Sequence, residues 1–136
     1  MIKFDSKYFR KFTFADQQTL GNIENSQKDI NIAQKDKFLD VRFNYAYSAL
    51  IKCGIALLSF YSQKVRSVPG HHVKILEKMA EILGDERISI IGNLMRTKRN
   101  IDLYSGGIEV TKKECEEYIS LVQDVFKKVS KIIKKV

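Results

Sequence analysis

The segment of residues 37–63 constrains the fold most, because its second half carries apolar side chains nearly all round. The apolar residues of this segment are Leu39, Ala46, Leu50, Ile55, Ala56, Leu57, Leu58 and Phe60. A helix that is apolar on several sides must be buried on several sides, so the pattern predicts a central helix. The longest apolar run, residues 49–61, is too short to span a bilayer and contains Lys52, so no membrane segment is predicted.

Four further helices are predicted along the chain. They begin near Thr13, His71, Asp85 and Thr111. Thr111 and Glu114 have the spacing of a capping box, as do Thr13 and Asp16. Gly84 is a natural stop for the helix that precedes it.

The 136 residues include one Pro and seven Gly, so few positions interrupt long helices. The length predicts one domain, residues 1–136. The predicted fold class is all-α, a bundle of about five helices with short connections. No segment is predicted to form a strand.

The end of the fourth helix changes from apolar to polar over residues 95–105. On a helix, Arg96, Asn100 and Tyr104 are spaced i, i+4 and i+8, so they share one face. A guanidinium, an amide and a phenol on one face can bind a phosphate together with its ribose or base. The alternative is a solvated face on which Arg99 and Asp102 form an ion pair, which stabilises a helix by only about 0.2–0.5 kcal/mol.

Two other groups of residues are candidates for function. The group at the start of the central helix is Arg42, Asn44, Tyr45 and Tyr47. These side chains line a cleft facing the fourth helix or, alternatively, the tyrosines fill the core with their hydroxyls at the surface. His71 and His72 are adjacent and cannot face the same way on a helix, so they do not predict a metal site. The sequence has no zinc-protease motif, Gly-rich phosphate loop or acyl-transfer triad signature.

The chain is basic, with 24 Lys and Arg against 16 Asp and Glu, a net charge of +8. This excess favours polyanionic partners such as RNA or DNA, or an acidic protein, although surface lysine also serves solubility alone. Cys53 and Cys115 lie far apart in apolar stretches, which predicts buried thiols in a reducing cytoplasm. The first residues lack the apolar core of a secretory signal, so a cytoplasmic location is expected.

Three short motifs occur in order along the chain. They are Asn44-Tyr45-Ala46-Tyr47-Ser48-Ala49, then Pro69-Gly70-His71-His72, then Arg96-x-x-Arg99-Asn100-x-x-x-Tyr104. With the order and lengths of the helices, these motifs resemble a HEPN domain from roughly residue 15 to the end. The resemblance implies an up-and-down four-helix bundle as the core, with residues 1–14 as an N-terminal extension. It also implies a dimer, with the fourth-helix motifs meeting at the interface.

The resemblance also implies a range of activities. Active HEPN domains are metal-independent endoribonucleases that use an Arg, an adjacent polar residue and a His, and many are toxins encoded with a minimal nucleotidyltransferase. Arg99 matches the Arg, Asn100 matches the polar residue, and Tyr104 stands where the His is expected. A phenol with a pKa of about 10 is a poorer general base at neutral pH than an imidazole.

The sequence therefore predicts a dimeric nucleotide- or RNA-binding protein, associated with a toxin–antitoxin or defence system. The alternatives are a metal-independent endoribonuclease toxin with a Tyr-variant motif, or the helical partner of a minimal nucleotidyltransferase. The predicted catalytic residues are Arg99, Asn100 and Tyr104, and the predicted nucleotide- or RNA-binding residues are Arg96, Lys98, Arg42 and Tyr45. In cleavage, Arg99 would stabilise charge on the phosphate, Asn100 would orient the ribose or phosphate and Tyr104 would protonate the leaving oxygen. No metal ion or cofactor is predicted.

Overall fold

The computed structural model describes residues 2–105 and 109–134, without the side chains of residues 102–105. The described residues form five helices and a two-stranded antiparallel sheet. The elements in chain order are β1 (Phe9–Lys11), α1 (Asp16–Lys35), α2 (Leu39–Phe60), β2 (Gln63–Val65), α3 (His71–Leu83), α4 (Glu86–Ser105) and α5 (Lys112–Ile133). The predicted all-α class and the number of helices are confirmed.

α2 lies at the centre of the bundle, as its apolar sequence predicts. It packs against α1, α3, α4 and α5. Phe43, Leu50 and Leu57 on α2 are completely buried. By length and composition alone α2 could cross a membrane, but 67% of its most apolar window is buried inside the protein. Burial on several sides is typical of the core helix of a folded domain.

α1 is held against α2 by polar contacts as well as by apolar packing. The Ser26 hydroxyl donates to the carbonyl oxygen of Ala49 at 2.9 Å. The buried Asp29 carboxylate accepts a hydrogen bond from Ser48 at 2.8 Å and pairs with Lys52 at 2.8 Å. Every buried side-chain nitrogen or oxygen in the described part of the chain has a partner. Satisfied polar contacts of this kind favour a single register between the two helices.

Two predicted helix ends are confirmed and one is corrected. Gly84 adopts the left-handed conformation, with φ 63°, and ends α3. The Thr111 hydroxyl accepts from the backbone N–H of Glu114 at 3.0 Å, and the Glu114 carboxylate accepts from the backbone N–H of Thr111 at 3.0 Å. The predicted start of α1 is too early, because Gln18 caps the helix by accepting from the backbone N–H of Ala15 at 2.9 Å.

The expectation that no segment forms a strand is wrong for six residues. β1 pairs with β2 in antiparallel register, with Phe9 opposite Val65 and Arg10 opposite Lys64. Phe9 is buried against the helices, which anchors the N-terminal segment to the bundle. A three-residue strand is too short to show an alternating pattern in sequence, and packing by a distant segment decides its conformation.

A cluster of ion pairs joins the start of α4 to α5. Arg87 pairs with Asp85 at 2.6 Å and with Asp124 at 2.8 Å, and Lys128 pairs with Asp85 at 3.2 Å. Hydrogen bonds from Arg87 hold the pKa of Asp85 well below its usual range. The network fixes the first turn of α4, while the opposite end of that helix carries the polar stretch.

Candidate functional site

Two glycines allow α3 to approach its neighbours closely and thereby place its first turn beside α2 and α4. A Cβ added at Gly54 of α2 would clash with Ile75 and would lie 2.7 Å from the sulfur of Met79, both on α3. A Cβ added at Gly92 of α4 would lie 2.8 Å from Leu76 Cδ2. The position of α3 therefore depends on bare backbone at both contacts.

The core-facing stripe of α4 ends in an arginine. Ile88, Gly92 and Met95 are buried on this stripe. Arg99 follows Ile88 after eleven residues, which places it within about 20° of the same direction around the helix. The Arg99 Cζ lies 5.5 Å from the centroid of the Tyr47 ring on α2, and the Arg99 side chain is exposed. The guanidinium thus packs over an aromatic ring and remains accessible to a ligand.

Tyr47 is almost completely buried beneath this arginine and contacts α3. Its hydroxyl lies 3.0 Å from Nδ1 of His72. Burial raises the pKa of Tyr47 to about 12, against the opposing positive charges of Arg99 and Arg96. The phenol keeps its proton at neutral pH and can donate it to Nδ1, and the proton of the neutral imidazole is then on Nε2.

His72 is half-buried at the start of α3 and is surrounded by positive charge. Burial is the main cause that lowers the pKa of His72 below its ordinary value, and His71, Arg99 and Arg96 lower it further. The rings of His71 and His72 lie 4.5 Å apart, and His71 Nδ1 lies 3.1 Å from the carbonyl oxygen of Val68. At neutral pH His72 is therefore uncharged and can act as a hydrogen-bond donor through Nε2.

These side chains form one group, called here the Arg–Tyr–His cluster: Tyr47, His71, His72, Arg96 and Arg99. None of the described carboxylates forms a salt bridge with either arginine, and the Asp102 side chain lies outside the description. Two guanidinium groups beside the Nε2–H donor of His72 suit a phosphate, which guanidinium binds with bidentate geometry. Among the described residues, no three His, Cys, Asp or Glu side chains gather to hold a metal ion.

The residues predicted at the end of α4 have different environments. Arg96 and Arg99 belong to the cluster, and Arg96 is half-buried. Asn100 is exposed and lies one turn beyond Arg96, within about 40° of it around the helix, so it borders the cluster. Tyr104 is in the last turn of α4, but its side chain lies outside the described part of the structure.

The other predicted binding residues lie away from the cluster. Arg42 donates through Nε to the carbonyl oxygen of Ala33 at 2.7 Å, which ties α2 to the end of α1. Lys98 pairs with Glu114 at 3.5 Å. Tyr45 is 38% exposed and lies about 200° around α2 from Tyr47.

Three members of the cluster were not among the predicted catalytic or binding residues: Tyr47, His71 and His72. Tyr47 was expected either to line a cleft or to fill the core with its hydroxyl at the surface, whereas the hydroxyl is bonded inside the protein. The available signal was a polar aromatic residue at a core position of α2, since a buried phenol needs a hydrogen-bond partner. The partner itself comes from a helix 25 residues further along the chain.

The chain matches no protein-family model, no curated protein and no solved structure. The chemistry of the Arg–Tyr–His cluster must therefore be inferred from its own side chains. A groove of about 570 Å³ lies between the start of α1 and the ends of α2 and α5. None of its lining residues belongs to the Arg–Tyr–His cluster.

Proposed function

We propose that this protein binds RNA or a nucleotide through phosphate, as a dimeric HEPN-like component of a toxin–antitoxin or defence system. The observation that carries the proposal is the placement of Arg96 and Arg99 beside the hydrogen-bonded pair of Tyr47 and His72. The net charge of +8 supports a polyanionic partner. The HEPN resemblance supports the biological context.

The expected binding mode uses Arg99 as the main phosphate contact. Its guanidinium is held over the Tyr47 ring, so less side-chain freedom is lost when a phosphate binds. Arg96 adds a second positive charge, and Nε2–H of neutral His72 adds a hydrogen-bond donor. Asn100, exposed next to the cluster, would contact the ribose or base.

A second copy of the chain is the proposed partner of α4. Ile90, Leu94 and Ile101 are 59%, 55% and 54% exposed and lie within about 40° of one another around the helix. An exposed apolar stripe of this kind is typical of a protein–protein interface. If light scattering shows a monomer, the same stripe fits a different protein, and a nucleotidyltransferase-type partner becomes the alternative.

Metal-independent RNA cleavage is the second candidate function, because the imidazole of His72 lies close to the arginines. In this reaction the ribose 2′-hydroxyl attacks the adjacent phosphorus, its proton is lost to a base, and the 5′-oxygen leaves with a proton. The pentavalent phosphate would be stabilised by Arg99 and Arg96. Binding is the preferred function, since Nδ1 of His72 is occupied by Tyr47 and its Nε2 then carries a proton.

The first test is incubation of the purified protein with labelled single-stranded RNA in EDTA, followed by gel analysis and fluorescence anisotropy. We expect saturable binding that weakens with salt, without cleavage. Cleavage by the wild type that is lost in His72→Gln would establish the ribonuclease instead. The absence of both binding and cleavage would contradict both functions.

RNA affinity is expected to rise as the pH falls from about 7 to about 5. In the free protein, burial and nearby positive charges lower the pKa of His72. A bound phosphate offsets those charges, so the pKa of His72 rises in the complex and a proton is taken up on binding. Uptake of one proton changes the dissociation constant by at most about tenfold per pH unit. The measurement is anisotropy across this pH range with wild type, His72→Gln and the neighbouring control His71→Gln.

His72→Gln should flatten the pH dependence, whereas His71→Gln should retain most of it. The reverse result would contradict the role assigned to His72. The stability of the free protein should change in the opposite direction to the RNA affinity. Because the pKa of His72 is lowered in the folded protein, the unfolded chain binds more protons when the pH is below 6.5, the ordinary pKa of histidine. The free protein therefore loses stability as the pH falls below that value.

A further inference from the structure

The two-stranded sheet, called here the basic ribbon (residues 9–12 and 62–66), places two cations directly opposite each other. Arg10 and Lys64 are cross-strand partners, and both side chains are exposed. Like charges at directly opposed positions destabilise an antiparallel pair. None of the described carboxylates forms a salt bridge with either residue. The pairing is unfavourable for the free protein and would be relieved by an anion bound across both strands.

An aromatic surface lies beside these cations. The Arg10 Cζ and the Lys64 Nζ lie 5.3 Å and 5.2 Å from the centroid of the Phe12 ring. The ring of Phe14 follows at 4.7 Å from that of Phe12, and both rings are half-buried. A pair of cations beside two adjacent aromatic rings suits the backbone phosphates and stacked bases of a single strand. An acidic peptide would use the cations but not the rings.

The groove of about 570 Å³ begins where the ribbon ends. Phe14, Leu20 and Phe60 give it apolar walls, while Thr13 and Ser62 add hydroxyl groups. A cleft of flat apolar walls with a few hydroxyls suits a nucleobase. Asp16 and Lys134 also line the groove, so its walls carry one charge of each sign. The ribbon carries two opposed cations, so phosphate is expected on the ribbon rather than inside the groove.

We infer that the basic ribbon and the adjoining groove form a second binding surface, which takes a single-stranded RNA segment. The inference rests on the proposed RNA binding, but it concerns residues separate from the Arg–Tyr–His cluster. Tyr47 of the cluster and Ser59, which lines the groove, lie roughly 18 Å apart along α2, at about 1.5 Å per residue. A strand of several nucleotides would be needed to contact both surfaces, whereas a mononucleotide would reach only one.

The test compares Arg10→Gln/Lys64→Gln with Lys127→Gln/Lys131→Gln, which removes the same charge from exposed positions on α5. Anisotropy of a labelled oligouridine is measured over a range of salt concentrations. The ribbon variant is expected to bind at least about tenfold more weakly, with the salt slope reduced by roughly 1.4 for two lost phosphate contacts. The α5 variant should bind as the wild type does. Equal binding by both variants would overturn the inference.

Further variants separate this inference from the proposed function. Phe12→Leu keeps an apolar side chain and should weaken oligouridine binding by about tenfold through lost stacking. Weak binding by Arg99→Ala alone would leave the cluster as the RNA site and refute the ribbon. Weak binding by the ribbon variants alone would support the ribbon and refute the cluster. Loss of binding to an acidic peptide but not to oligouridine would identify a protein partner and overturn the inference.

Circular dichroism on each variant verifies folding. Removal of the Arg10–Lys64 repulsion should leave the melting temperature unchanged or raised.

Discussion

Replacing Arg99 with alanine is expected to weaken RNA binding by about ten- to a hundredfold while leaving the fold intact. One charge-assisted contact to phosphate contributes about 1.5–3 kcal/mol, and about 1.4 kcal/mol corresponds to a tenfold change in affinity. The side chain is exposed, so its contact with the Tyr47 ring contributes only about 0.5–1 kcal/mol to stability. The measurements are RNA anisotropy and thermal unfolding of the same samples.

Two matched variants sharpen the Arg99 result. Arg99→Lys keeps the charge but loses the bidentate geometry, so its affinity should be intermediate. Lys127→Ala removes an exposed cation from α5 and should bind as the wild type does. Unfolding of Arg99→Ala would show that the residue is structural, and unchanged binding by a folded Arg99→Ala would remove it from the site.

Replacing Gly54 with valine is expected to destabilise the protein by about 1–3 kcal/mol or more, because the added atoms have no space. Even the first carbon of the new side chain would clash with Ile75 and lie 2.7 Å from the sulfur of Met79. Relief requires α3 to move away from α2, and His72 would move with it. We therefore expect a lower midpoint in urea unfolding together with weaker RNA binding.

Gly21 provides the control for this glycine. A Cβ added at Gly21 on α1 meets nothing within 4 Å, so Gly21→Ala should stabilise the helix by roughly 0.5–1 kcal/mol. If the change in stability has opposite signs at Gly21 and Gly54, packing against α3, rather than helix propensity, requires a glycine at position 54. An unchanged free energy of unfolding for Gly54→Val would mean that α3 can move away from α2 without cost. Close packing at Gly54 would then not set the position of His72.

The helices were predictable from the sequence because their signals are local. α3 spans His71–Leu83, as the apolar spacing and Gly84 indicate, and α5 begins at the predicted capping box. The central position of α2 followed from its apolar residues on several sides. β1 and β2 gave no such signal, since each strand has three residues and the partner of each lies more than fifty residues away in the chain.

The site was predictable only in part, for the same physical reason. Arg96 and Arg99 stood out because a helix that only covers an apolar core does not require cations at its end. Both residues belong to the Arg–Tyr–His cluster. Tyr47 was expected to line a cleft or to fill the core, and the sequence could not decide between the two. Its hydrogen bond to His72 spans 25 residues of sequence, so neither residue's helix shows it. Arg42 and Tyr45 share a helix with Tyr47 but point to other neighbours.

The sequence by itself determined the helical class, the central helix, the bounds of α3, the start of α5 and the basic character of the chain. These properties depend on residues within a few turns of one another, or on composition alone. The tertiary structure alone decided that Arg99 lies over Tyr47, that Tyr47 bonds His72 and that Arg10 opposes Lys64. Such contacts depend on how closely helices and strands approach, and that distance is set by packing, as at Gly54 and Gly92.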